Sequence, residues 1–217
     1  MKVVDCAQGS PEWHAARRGI ITASRFGDVM ASPRGDSPES RTRARYMREL
    51  AFEIVAEEPI ENYVNYTNRA MERGKLLEPE ALKLYAMMRD THVHRVGFVT
   101  RLFGKWTVGG SPDGFVGCGP DGDGPRGGVE IKTEEPHLLI PRIAERRGFP
   151  AEHVAQCQGL MWLTDATWWD NAIYWPKLPI FIRRAQRDDR HNARFEIAAR
   201  AFLEELDDLV EKIRRGP

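Results

Sequence analysis

The chain has 217 residues, 41% hydrophobic and 29% charged, a composition that excludes fibrous, low-complexity and disordered classes and suits one sizeable globular α/β domain. Thirty-two basic residues balance 32 acidic ones, so the average charge neither supports nor excludes a polyanionic partner, which would need only a local basic groove. Three scattered cysteines exclude a disulfide framework, and no apolar run approaches the roughly 20 residues of a membrane span. Residues 1–5 lack the apolar core of a signal peptide, so a cytoplasmic location is expected.

Ser10-Pro11-Glu12 predicts the start of a first helix: a good N-cap, a proline suited to the first helical position, and an acid in the first turn. It should run to about Arg18 and stop at Gly19. A short second helix is expected from Thr22 or Ser24, with Phe26, Val29 and Met30 as apolar contacts. Ser32 to Ser40, with two prolines and a glycine, reads as loop. Tyr46, Leu50, Ile54 and Val55 give helical spacing from about Arg41 to Glu57. A longer helix is predicted from about Asn68 to Met88, with Met71, Leu82, Leu84 and Tyr85 facing the core and Pro79 kinking or breaking it near Glu78.

The pattern then becomes β. Val93, Val96, Phe98 and Val99, then Trp106, Val108, Phe115 and Val116, form short runs punctuated by glycines. A Gly-rich loop from Gly119 to Gly128 leads into a strand, Val129 to Thr133. Helices are expected around His137–Arg147 and Ala151–Leu163, and strands at Thr167–Trp175 and Ile180–Ala185. A last helix, Asn192–Arg215, carries an apolar seam of Phe195, Ala198, Phe202, Leu206, Leu209 and Ile213. The order implies a single mixed α/β domain with a central sheet flanked by helices. The last helix would pack on it or at a subunit interface.

The chemistry lies in Ser111-Pro-Asp-Gly114 and Glu130-Ile-Lys132. Alone, the first is a turn and the second a charged strand face. Together they mean more. Strand alternation puts Glu130 and Lys132 on one face and Ile131 on the other. Asp113 is expected to end a neighbouring strand; if the two strands pair, two carboxylates and an ammonium converge at one edge of the sheet. Such hard oxygen ligands suit Mg²⁺, and the combination suits phosphodiester cleavage. Between two carboxylates, Lys132 should keep its proton, so it would orient the attacking water and offset negative charge.

Pro112-Asp113 followed by Glu130-Ile131-Lys132 resembles the PD-(D/E)XK nuclease motif. Ser10-Pro-Glu-Trp-His-Ala-Ala-Arg17, Gly19-Ile-Ile-Thr-Ala-Ser24, Arg73-Gly-Lys-Leu-Leu-Glu-Pro-Glu-Ala81 and His153-Val-Ala-Gln156 then resemble, in order, the blocks of YqaJ-like viral recombinases, the phage-lambda-type alkaline exonucleases. The resemblance covers about residues 8 to 165. It implies a PD-(D/E)XK, restriction-endonuclease-like fold. It also implies a Mg²⁺-dependent 5′-to-3′ exonuclease, a metal-dependent deoxyribonuclease acting on double-stranded DNA ends and leaving 3′ overhangs for single-strand annealing. Asp113, Glu130, the Ile131 carbonyl and Glu78 would hold metal, two ions per site, with Mn²⁺ as a possible substitute. Lys132 and Gln156 would act in catalysis, and Arg17 with Ser24 would bind a 5′-phosphate. The partners the resemblance implies are 5′-phosphorylated duplex DNA, an annealing protein and further copies of the chain in a trimeric ring, inside a bacterial cell. Trp13 reads better as core than as a stacking platform.

The competing readings are another PD-(D/E)XK endonuclease, or a catalytically silent DNA-binding module. A phosphate-binding loop is excluded by spacing at Gly74-Lys75 and Gly104-Lys105. His92 and His94 lack the further ligands of a zinc site, and four-cysteine iron–sulfur relatives are excluded by cysteine count. The arginine clusters at 41–48, 142–147 and 183–190 read first as solvated faces.

Overall fold

A computed structural model describes residues 1–33, 35, 39–60, 69–117 and 125–216. Parts of the expected loops at 32–40 and 119–128, with Asp121 and Asp123, lie outside these residues, as do Cys118 and Asn68. The chain forms two compact units. No helix among the described residues is long and apolar enough to cross a membrane.

The first unit comprises Met1–Asn65, Gly97–Ser111 and Asp188–Pro217. Strand β1 (Lys2–Val4) pairs antiparallel with β3 (Phe98–Phe103), which pairs antiparallel with β4 (Trp106–Gly110). Helix α1 (Pro11–Arg17) begins as expected, with the Ser10 hydroxyl accepting from the Trp13 N–H at 3.2 Å. A 3₁₀ turn at Ala23–Arg25 leads into the one-turn α2 (Phe26–Val29). Helices α3 (Arg41–Ala56) and α7 (Asp189–Arg215) pack together and both meet α2. Phe26 stacks on Phe195 at 4.0 Å between ring centres. The buried stripe of α7 is Asn192, Phe195, Ala199, Phe202, Leu203, Leu206 and Val210. Ile213, expected in the seam, is 47% exposed, because the stripe ends one turn earlier. Arg43, Arg45 and Arg48 pair with Glu205, Glu49 and Glu39, which fits a solvated ion-paired face.

The second unit comprises Tyr66–Val96 and Pro112–Arg187. Its mixed five-stranded sheet has the order β2 (Val93–His94), β5 (Gly114–Val116), β6 (Gly127–Thr133), β7 (Trp168–Tyr174), β8 (Phe181–Gln186). Only β6 and β7 run parallel. Gly127 and Gly128 open β6 because Trp168 and Trp169 lie over them; a Cβ at either would meet an indole at 2.2–2.4 Å. Helix α4 (Arg69–Arg89) packs Ala81, Leu82 and Tyr85 against Val129, Ile131 and Ala172. Pro79 lies inside α4 without ending it, so of the kink or break expected near Glu78 the break does not occur. Met71, expected in the core, is 45% exposed near the start of the helix, before α4 meets the apolar sheet face. Helices α5 (Pro136–Ala144) and α6 (Val154–Thr164), the latter entered through a 3₁₀ turn at Ala151–His153, cover the opposite face.

Asp170 on β7 is wholly buried and fully engaged. It accepts from Arg184 Nε and Nη2 at 2.8 and 2.9 Å and from the Tyr85 hydroxyl at 2.8 Å. Burial and this carboxylate push the Tyr85 phenol pKa up. Arg184 also lies 3.5 Å from the centre of the Trp168 ring. Asp170→Ala should therefore lower stability by roughly 3 kcal/mol in urea titration. That sits at the low end of the ~3–5 kcal/mol for a broken buried pair, because the Arg184 side chain is 38% exposed and can reach water. A loss below ~1 kcal/mol would show that the network contributes little.

Candidate metal and active site

The site forms where β6 outruns its neighbour. Strand β5 pairs with Gly127 to Val129 only, so Glu130 to Thr133 lie beyond that ladder. Asp113, immediately before β5, fills the gap: its Oδ2 accepts the Ile131 N–H at 2.6 Å. Asp113, expected at the end of the neighbouring strand, stands instead at its start. Antiparallel pairing of β5 with β6 brings it to the motif all the same.

Alternation along β6 turns Ile131 into the α4 core and Glu130 with Lys132 to the other face. Lys132 Nζ and Gln156 Nε2, the latter from α6, both donate to Glu130 Oε1, at 2.7 and 2.6 Å. Gln156 is thus joined to the lysine through a shared carboxylate oxygen. A cleft of about 420 Å³ is lined by Met71, Gly74, Lys75 and Glu78 of α4 and by Asp113 and residues 130–133.

The electrostatics are those of crowded carboxylates. Burial, then the charges of Glu130 and Glu78, hold the Asp113 carboxyl well above the usual range, against the pull of Lys132 and the Ile131 N–H. Burial works to lower the Lys132 pKa, but Glu130 and Asp113 more than offset it, and the ammonium titrates above its ordinary value. Burial likewise raises Glu78, while Arg95, bonded to its Oε1 at 2.6 Å, opposes that. Glu130 Oε2 is buried with no hydrogen-bond partner among the described residues. A buried acceptor of this kind, beside a second carboxylate that burial has made hard to ionise, fits a bound divalent cation.

Glu78 lines the same cleft and its charge acts on Asp113. Among the described residues, the trio whose ligand atoms lie within 4.8 Å of one another is instead Glu134, Glu152 and His153. Arg142 already spans that group, donating to Glu134 at 2.8 Å and to Glu152. Its charge is compensated, and burial lowers the His153 pKa to about 4, so the imidazole is neutral at pH 7. The sequence reading missed this clamp between the end of β6 and the start of α6. Only the reach of Arg142 to both acids reveals it.

Arg17 and Ser24 belong to the first unit. The Arg17 guanidinium lies 4.1 Å from the centre of the Trp13 ring, whose Nε1 donates to Ser111 Oγ at 2.7 Å. Trp13 is therefore half-buried and carries an arginine, rather than sitting in the core. Ser24 is exposed, its hydroxyl 3.5 Å from that of Thr22. His92 and His94 pack edge to face at 4.4 Å. Cys6 and Cys157 are free thiols, and burial raises the Cys157 pKa well above the usual value.

A mixed sheet with helices on both faces, carrying an Asp, a Glu-x-Lys pair and a cleft at the open edge of its central strands, is the PD-(D/E)XK fold. The chain belongs to the YqaJ-like viral recombinase domain family, which matches residues 12–167. It is similar to the crystal structure of an alkaline exonuclease, LHK-Exo, from Laribacter hongkongensis. The two are 33% identical over 95% of this chain and 97% of that one, with a TM-score of 0.78. LHK-Exo in complex with dAMP matches equally, at 33% identity, the same coverage and TM-score 0.78. A phage-related exonuclease from Haemophilus somnus shares the fold at 16% identity, covering 89% of this chain and 96% of that one, with a TM-score of 0.64. No curated protein matches the chain.

Proposed function

We propose that the protein is a Mg²⁺-dependent 5′-to-3′ exonuclease of double-stranded DNA ends, leaving 3′ overhangs for single-strand annealing. The observation that supports this most is the cluster at the open edge of β6. There Asp113 is held by the Ile131 N–H, Glu130 by Lys132 and Gln156, and one buried Glu130 oxygen has no partner among the described residues. Family membership, and likeness to an alkaline exonuclease also solved with dAMP, point the same way.

Asp113, Glu130, the Ile131 carbonyl and Glu78 would hold Mg²⁺, two ions per site, with Mn²⁺ able to substitute. When bound, the metal supplies Lewis acidity to the scissile phosphate and acidifies the attacking water. The chain's own residues do the rest. Lys132, held protonated, offsets charge growing on the phosphate and orients the water through its N–H groups. Gln156 fixes the carboxylate that Lys132 shares. Arg17 and Ser24 bind the 5′-terminal phosphate, a task suited to an always-charged guanidinium that can bind it bidentately. The partners on this reading are 5′-phosphorylated duplex DNA, an annealing protein and other copies of the chain.

The test uses linear duplex DNA with one 5′-phosphate and one 5′-hydroxyl end, each strand labelled separately, with Mg²⁺ or EDTA. The expected result is metal-dependent loss of the 5′-phosphorylated strand, its preference over the hydroxyl end shrinking roughly 10–100-fold in Arg17→Ala, the scale of lost hydrogen bonds to a charged group. An unchanged preference would remove Arg17 from that role. Internal cuts would make the protein an endonuclease of the same fold. DNA binding without cleavage under any metal would make it a silent binding module.

A further inference from the structure

Strands β6 and β7 run parallel, with Glu130 paired beside Asn171. Paired residues in such a ladder point to the same side, and the neighbouring pairs agree. Val129 beside Asp170 and Ile131 beside Ala172 face α4, with Tyr85 reaching Asp170 there. Asn171 therefore shares the face of Glu130, on which α6 sends Gln156 to the carboxylate.

Asn171 is 0% exposed, and among the described residues neither its Oδ1 nor its Nδ2 has a hydrogen-bond partner. Glu130 Oε2 is in the same condition. Orphaned polar atoms inside a protein are uncommon, and each asks for a reason. Here a donor without an acceptor and an acceptor without a donor stand on paired positions of adjacent strands. Such strands are about 4.8 Å apart, within reach of one side-chain hydrogen bond. Asp170, next in sequence, shows the contrast: it too is buried, but Arg184 and Tyr85 saturate it.

We infer that Asn171 is a positioning residue for Glu130, its Nδ2–H serving Oε2 when the carboxylate turns to hold a cation. Oε1 stays with Lys132 and Gln156, and Oε2 keeps a lone pair for the metal. The two oxygens of one carboxylate thereby have separate duties, and the ligand is aimed from three sides. The inference rests on the reading of Asp113 and Glu130 as a metal site.

The test is Mn²⁺ binding to the whole chain without DNA, followed by electron paramagnetic resonance, alongside thermal unfolding in EDTA. Wild type, Asn171→Leu, Asn171→Thr and Glu130→Gln are compared. Leucine keeps the volume but makes no hydrogen bond; threonine keeps a donor. Asn171→Leu should weaken Mn²⁺ binding about 10–100-fold, the scale for groups that orient a metal ligand, with Tm unchanged or higher because two unpaired polar atoms are gone. Asn171→Thr should recover part of the affinity. Wild-type affinity in Asn171→Leu, with loss in Glu130→Gln, would overturn the inference and leave the metal site standing. A lower Tm in Asn171→Leu with no recovery in Asn171→Thr would overturn it in favour of a packing role. If wild type and Glu130→Gln bind Mn²⁺ alike, the metal site itself is misassigned.

Discussion

Asp113→Asn is expected to cut turnover about 10³-fold or more and, at the same time, to raise thermal stability in EDTA. The carboxylate is buried beside Glu130, and both burial and that neighbour work against its charge. Asparagine keeps an oxygen for the Ile131 N–H, so the junction of β5 with β6 survives. On the proposed reading, what disappears is a negative ligand at the point where a cation and a developing charge would be stabilised. Loss of a single group aimed at such charge costs ~10²–10³ in rate, and removing a metal's ligand should cost at least as much. Relief of the repulsion should appear as a Tm gain of about 2–4 °C per kcal/mol released in a chain of this size. Turnover at saturating DNA and Mg²⁺, with calorimetry in EDTA, checks both. Near-normal turnover would show that the site has been placed wrongly.

Lys132→Ala should separate chemistry from binding. Turnover is expected to fall about 10²–10³-fold while DNA affinity measured in Ca²⁺ stays within about 5-fold, since loss of one exposed phosphate contact is worth about 1 kcal/mol or less. The lysine is 29% exposed and hydrogen-bonded to Glu130 Oε1, so its ammonium is held at the carboxylate cluster and not extended along a groove. Its position points to a role in the transition state, where losses fall on kcat and kcat/KM together. Parallel losses in affinity and turnover would instead make it a phosphate contact.

Much of this was legible because it is local. Two-residue periodicity put Glu130 and Lys132 on one face, and Ser10-Pro11 fixed the start of α1. What escaped depends on pairing across long stretches of chain. Strand β1 is three residues, Lys-Val-Val, and becomes a strand only by pairing with β3. That the strands fall into two sheets follows from the same distant pairings. Asp170 and Asn171 look alike in sequence, two polar residues in a β run, yet among the described residues only the side chain of the first meets partners, from α4 and β8. The Arg142 clamp needed three elements to meet. The exposure of Met71 and Ile213 needed the ends of the packing surfaces, which periodicity does not mark.

The ion pair of Asp170 with Arg184 has a consequence for solution work. Mobile ions screen charges over about 8–10 Å of solvent at ordinary ionic strength but do not penetrate to a wholly buried carboxylate. Added salt should therefore leave this network intact while it competes with DNA phosphates for exposed arginines. A plot of the logarithm of DNA affinity against the logarithm of salt concentration would then count the phosphates neutralised, at a slope of about −0.9 for each in duplex DNA. The protein's grip on its substrate could be measured by ionic strength alone, without the fold giving way underneath the measurement.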